Sequence, residues 1–336
     1  MPAEKPACLV TVDVEGDNLW SRPRRPNTRN ARCLPRFHEL CVAHGLRPTY
    51  LTDYEMARDE TFQDFAAGVL ERGEGEIGMH LHAWATPPIG ELTADDARHQ
   101  PYLTDYPERT MRAKVRTMTD LLGETFGAAP RSHRGGRWAF DETYAAILIE
   151  AGYRVDSSVT PGLSWRHMPG APGGPGGPDY RNCPSGAYFV SEDDVARPGG
   201  TELLEVPVTT EPAGGPLRRT LRRAAMTALP VGAFPPLYGA VNRLLPAVRW
   251  FRPDGRNGRR LCEMLRRALR QGRGFVNLML HSSELMPGGS PTFPNEASVE
   301  ALYETLEALF SAAESGLEGL TLSEYRQRFV SQKETT

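Results

Sequence analysis

The feature that most limits what this chain can fold into is a recurring unit. A short apolar run ends in an ionisable side chain, and a helix-length stretch separates it from the next. The first run, Cys8-Leu-Val-Thr-Val-Asp13, is β-branched and reads as a buried strand. A helical pattern follows from about Leu34 to His44, with Leu34, Phe37, Leu40, Cys41 and His44 on one side and Pro35 in its first turn. Strands are then predicted at Arg47–Thr52 and Glu76–His82, with a helix at Thr61–Glu71 between them. A long helix at Pro107–Phe126 precedes a strand edge at Arg131–Arg134, and a helix at Asp141–Ala151 runs into Tyr153-Arg-Val-Asp156. Gly274–His281 is the clearest central strand, followed by a helix at Glu296–Glu314 and a short one after Thr321. Strands alternating with helices imply βαβ units, a mostly parallel sheet and right-handed crossovers.

The 336 residues suit one large α/β domain over 1–336, with a Pro/Gly-rich surface loop at 160–185 and an Arg-rich insertion at 211–272. A net charge of −3 excludes a polycation built for nucleic acid. The amino terminus lacks the charged flank and apolar run of a signal peptide, and no apolar stretch approaches a membrane span. Five scattered cysteines with no Cys-x-x-Cys pair argue against a disulfide framework and for reduced thiols, so a cytoplasmic location is expected.

Charge is uneven along the chain. Residues 217–270 hold thirteen arginines against Asp254 and Glu263, a local +11. One reading is a solvated, Arg-decorated helical insertion. The sharper one is a surface that makes peripheral contact with anionic membrane, or grips a phosphate-bearing substrate.

Chemistry-bearing residues sit where strands end: Asp13 and Glu15, His80 and His82, Arg134, Asp156 and His281. Active sites of parallel α/β sheets collect at those carboxyl ends. Residues two apart on extended backbone share a face, so Asp13 and Glu15 could reach one ion or water, as could His80 and His82. Solvated carboxylates and structural histidines are the plainer alternatives. There is no Gly-x-Ser-x-Gly elbow and no phosphate-binding Gly-x-x-x-x-Gly-Lys loop.

The arrangement resembles the polysaccharide deacetylases, the NodB-homology or carbohydrate esterase family 4 group. Five blocks fall in family order: Thr11-Val-Asp-Val-Glu-Gly16, Glu76-Ile-Gly-Met-His80-Leu-His82, Arg134-Gly-Gly-Arg-Trp138, Tyr153-Arg-Val-Asp-Ser-Ser158 and Leu278-Met-Leu-His-Ser282. Two positions depart from the pattern. Trp84 stands where the family usually has its second histidine, leaving His82 to supply that imidazole, and the second acid is Glu15 rather than aspartate.

The resemblance implies an irregular (β/α) barrel, NodB-like, with a basic helical insertion. It also implies a hydrolase acting on linear amide C–N bonds, a carbohydrate N-deacetylase. Glu15, His80 and His82 would hold a divalent metal, Zn²⁺ by the nitrogen and oxygen donors. Asp13 would be general base, with Arg134 holding it ionised. His281 would be general acid, with Asp156 favouring its charged form. Trp84, Gly136 and Trp138 would contact the substrate. That substrate is expected to be a small N-acylated amino sugar or glycoside. The alternatives are a polyprenyl-phosphate-linked sugar losing acetyl or formyl at a membrane surface, and a catalytically inactive glycan-binding relative.

Overall fold

The computed structural model describes residues 5–228, 241, 244–314 and 316–334. Its centre is a nine-stranded sheet built on β1 (Ala7–Val14), which is buried along its whole length. β1 is flanked on one side by β10 (Phe275–His281) and on the other by β2 (Thr49–Thr52), β3 (Glu76–Leu81), β4 (Ser132–Gly135) and β5 (Val155–Asp156) in succession. All these neighbours run parallel. The path ends in β7 (Leu204–Glu205) and an antiparallel β6 (Tyr188–Phe189), while β11 (Glu318–Gly319) pairs with the start of β1. The sheet curls into a half-barrel with helices outside it. The chain after β7 crosses back to β10, where Thr209 and Asn277 exchange a backbone bond and a hydroxyl bond.

Alternation along each strand decides what faces the interior. On β1, Cys8, Val10, Val12 and Val14 belong to the large core shared with the helices, whereas Ala7 and Leu9 belong to a smaller cluster with Val155, Leu204 and Phe275. Thr11, Asp13 and Glu15 continue that inner column upward. β10 repeats the pattern, with Val276, Leu278 and Leu280 in the outer core and Asn277 and His281 on the inner face. Asn277 accepts from Thr11 and donates to Ser157, so one amide ties β10 to β1 and to the segment that follows β5.

The helices expected outside the sheet form at Leu34–Ala43, Glu60–Glu71, Glu108–Phe126, Glu142–Glu150, Glu296–Glu314 and Leu322–Glu334. Asp59 and Asp141 cap two of them by accepting from the amides of Phe62 and Tyr144.

The basic segment divides into dissimilar parts. Helix Gly258–Arg270 buries Leu261, Met264, Leu265 and Ala268, spaced for one helical face, and packs on helix Glu296–Glu314 beside β10. It behaves as an ordinary crossover helix. Helix Pro216–Ala228 instead exposes Leu217 and Leu221. Between the two helices, Val248–Trp250 (β9) pairs antiparallel with Thr210–Pro212 (β8). The Pro/Gly-rich loop is also more ordered than a bare surface loop: Ser164 bridges to Asp179, and buried Tyr180 donates to the Trp138 carbonyl at 2.5 Å. No helix among the described residues is long and apolar enough to cross a membrane.

Candidate active site

The inner columns of β1, β3, β4 and β10 deliver their last side chains into one cleft of about 250 Å³, lined among others by Asp13, Glu15, Trp20, His80, His82, Trp84, Trp138 and His281. At its base Arg134 is fully buried. Its guanidinium donates to Asp13 Oδ1 at 2.5 Å, to the Thr11 hydroxyl at 2.8 Å and to the Ser157 carbonyl at 2.8 Å. Burial alone would raise the Asp13 pKa, but the charges of Arg134, His80 and His281 outweigh it and hold the carboxyl below its usual range. Asp13 is therefore an ionised carboxylate with one oxygen fixed and the other turned to the cleft.

Glu15, His80 and His82 meet beside it. The Nε2 atoms of the two histidines are 2.9 Å apart, and Glu15 Oε2 lies 3.6 Å and 3.5 Å from them. Four donors about 2.0–2.1 Å from a tetrahedral zinc would sit ~3.3 Å from one another, so this spacing suits a shared cation. The donor chemistry fits as well. His80 Nδ1 lies 3.0 Å from the Arg134 carbonyl, which can only accept, so Nδ1 carries the hydrogen and Nε2 is left bare in the neutral ring. For His80 itself, burial is outweighed by Asp13 and Glu15, which raise its pKa, so the cluster favours a positive charge at that point. Burial, followed by the neighbouring His80, drives His82 the other way, leaving a neutral imidazole. Glu15, His80 and His82 are buried and can hold a divalent cation.

The departure at Trp84 is accommodated locally. Its indole stacks on the His82 ring with centroids 4.6 Å apart and planes at 18°, so Trp84 braces that imidazole. Gly136 supports the same ring from behind, because a Cβ there would collide with His82 and the Leu81 carbonyl. Gly136 is thus buried beneath the His82 ring, and Gly135 rather than Gly136 lines the cleft. Arg137 and Trp138 follow with φ of 56° and 66°, a left-handed backbone that non-glycine residues seldom adopt. This turn carries Trp138 to the cleft, where it stacks on Trp165 at 6.2 Å and meets Trp250 at 5.6 Å. Three segments distant in sequence thereby form one aromatic cluster, of which Trp138 faces the cleft.

His281 closes the far side. Its Nε2 lies 3.8 Å from both Asp13 Oδ2 and Glu15 Oε1. The expected support from Asp156 is not what the structure forms. β5 is two residues long, and since Val155 faces the interior, Asp156 points to the helical layer. There it accepts from His133 Nδ1 at 2.6 Å and from Ser158, fully buried. Glu284 stands beside His281 in its place. Its carboxylate accepts from the His281 amide at 2.9 Å, approaches Nδ1 at 3.4 Å and takes the Arg252 guanidinium at 2.7 Å. Burial works against the Glu284 charge, but Arg252 and His281 prevail and pull its pKa down to about 2. Arg252 also reaches His281 Nδ1 at 2.8 Å, and Trp20 meets the ring edge-on at 5.1 Å.

Glu284, Arg252 and Trp20 were not singled out as site residues by the sequence. Glu284, three positions after a strand-ending histidine, carries the capping-box spacing as its signal. Arg252 and Trp20 carry none.

No protein-family model matches the chain, and no curated protein matches it in sequence. Solved structures do resemble it. A candidate glycoside hydrolase/deacetylase from Parabacteroides distasonis aligns over 98% of this chain and 72% of its own, at 12% identity and a TM-score of 0.60. A candidate polysaccharide deacetylase from Mycobacterium smegmatis aligns over 99% and 93%, at 15% identity and a TM-score of 0.53. A PuuE allantoinase aligns over 97% and 91%, at 13% identity and a TM-score of 0.52. The chain therefore has the NodB-like (β/α) barrel fold of the polysaccharide deacetylases.

Proposed function

We propose that this protein is a metal-dependent hydrolase that removes an N-acyl group, acetyl in the simplest case, from an amino sugar or glycoside. The observation that carries this reading is the convergence of Glu15, His80 and His82 on one point, with Asp13 on one side and His281 on the other. A bound divalent cation, Zn²⁺ by preference for this donor set, would polarise the acyl carbonyl and acidify a water. Asp13 accepts the proton of that water through its free oxygen while Arg134 keeps it ionised and oriented. His281 faces the cleft with Nε2 and gives a proton to the departing amine; Glu284 and Arg252 fix the opposite edge of its ring. Trp138, Trp165, Trp250 and Trp84 offer flat apolar faces of the kind that sugar rings rest on. His82 braced by Trp84 supplies the second imidazole, which favours an enzyme over an inactive glycan-binding relative. Five free cysteines support a reducing, cytoplasmic setting.

The test is amine release from a panel of N-acetyl and N-formyl amino sugars by metal-loaded protein. Release from at least one substrate, abolished by Asp13→Asn, is expected. No release from any acylated sugar by a protein that holds its metal would overturn the reading.

A further inference from the structure

A second cavity of about 640 Å³ opens beside the cleft, and Trp20 walls both. Four guanidinium groups line it, those of Arg218, Arg249, Arg252 and Arg260, against the carboxylates of Asp254 and Glu284. Glu284 pairs with Arg252, one of the four, and Asp254 accepts from the amide of Arg256, so the arginines outnumber the acids four to two. The Arg218 guanidinium donates to the Leu244 carbonyl, whereas the guanidinium groups of Arg249 and Arg260 have no hydrogen bond or ion pair among the described residues. Pro246, Val248, Trp250 and Pro253 make the remaining wall apolar. Like charges gathered in a concave, partly apolar recess repel one another and focus a positive field, so an anion there relieves a cost. Guanidinium forks match phosphate oxygens in geometry. Helix Gly258–Arg270 also turns its amino-terminal end to the recess at Asn257 and Arg260, and unpaired amides there favour an anion.

We propose that this arginine-lined cavity binds the phosphate or diphosphate group of the substrate, so that the protein acts on an acylated amino sugar carrying a phosphate. The assignment rests on the deacylase reading. His281 joins the two spaces, with Nε2 on the cleft and Nδ1 on Arg252 in the cavity wall. An amine leaving beside Nε2 therefore has its sugar ring led over Trp20 toward the arginines. The phosphate could belong to a soluble sugar phosphate or to a lipid-linked one. Leu217, Leu221 and Leu244, 75%, 54% and 69% exposed in the same basic segment, are suited to an apolar lipid surface.

The test is calorimetric titration of the full, metal-loaded chain with inorganic pyrophosphate, comparing the native protein with Arg249→Ala/Arg260→Ala. Two charge-assisted hydrogen-bonding groups are removed, so binding should weaken about tenfold or more. Arg260→Ala alone, at an exposed side chain, should give a smaller loss, and an unchanged melting temperature verifies the fold. Equal affinity in native and arginine variants overturns the proposal. So does binding that survives the arginine variants and is lost in His82→Ala, because the anion would then sit on the metal. Cosedimentation with phosphatidylglycerol or phosphatidylcholine vesicles separates the sources. Binding to the anionic vesicles alone, competed by pyrophosphate, points to a lipid-linked phosphate, and pyrophosphate binding without vesicle binding points to a soluble one. No readout here involves deacylation, so either reading can fail without the other.

Discussion

β4 builds two buried ionic assemblies from adjacent residues, and they serve different ends. Arg134 turns inward and joins Asp13, Thr11 and Ser157 beneath the cleft. His133 turns outward and joins Asp156 at 2.6 Å and the Tyr144 hydroxyl at 2.7 Å, sealed under helix Glu142–Glu150, with Glu205 pressed against Asp156. Both contain a carboxylate and a nitrogen base, and both are shielded from water. Access separates them: the inner column opens upward onto the cleft of Glu15, His80 and His82, and the outer one is closed by helix Glu142–Glu150. Residue type and strand position alone therefore do not mark a catalytic group. The parity of the residue on its strand decides which of the two reaches the cleft.

Paired substitutions test that distinction. The largest effect is expected at Asp13→Asn, which removes the proposed general base and should lower turnover by about 10²–10⁴ while metal content stays the same. Asp156→Asn should leave turnover per folded molecule unchanged. A comparable kinetic loss there would mean that the outer assembly takes part in the chemistry. Conversely, His133→Ala removes the imidazole that donates to the buried Asp156 carboxylate and should cost about 1–3 kcal/mol in urea unfolding. Next in size, Glu284→Gln keeps the shape beside His281 but weakens its hold on Arg252. Turnover should fall about tenfold, equivalent to ~1.4 kcal/mol of transition-state stabilisation. An unaffected rate would remove Glu284 from the site.

The subtlest contrast concerns pH. Burial and the neighbouring Asp156 raise the Glu205 pKa well above the ordinary glutamate range, so the folded protein binds a proton there that the unfolded chain releases. Its stabilisation is complete below the unfolded pKa of about 4.3 and declines as pH rises through the raised folded value. Glu205→Gln should flatten the alkaline side of the melting temperature profile. A profile identical to the native one would place the proton elsewhere.

Most of the barrel could be read from the sequence because its strands are long enough to show alternation. On β1 and β10 the period is plain, and it places Asp13, Glu15 and His281 on the inner face with His80 of β3 and His82 just beyond it. β5 offers only Val155 and Asp156, too short a run to declare which way its acid points, so Asp156 was expected beside His281 and lies on the opposite face. The short pairs at β6, β7, β8 and β9 had no periodic signal either. Arg252 and Trp20 reach His281 only because distant loops fold over the sheet. Helix Gly258–Arg270 was hidden for a different reason. Its arginines dominate the composition, yet Leu261, Met264, Leu265 and Ala268 bind it to the core.

The central claim is that Glu15, His80 and His82 hold one cation between them. Elemental analysis of purified protein beside His82→Ala tests it most directly. The account predicts about one divalent ion per chain in the native protein and almost none in a variant that still melts cooperatively. A native protein that takes up no zinc, cobalt or nickel when they are supplied, or a variant that retains a full complement, would contradict it.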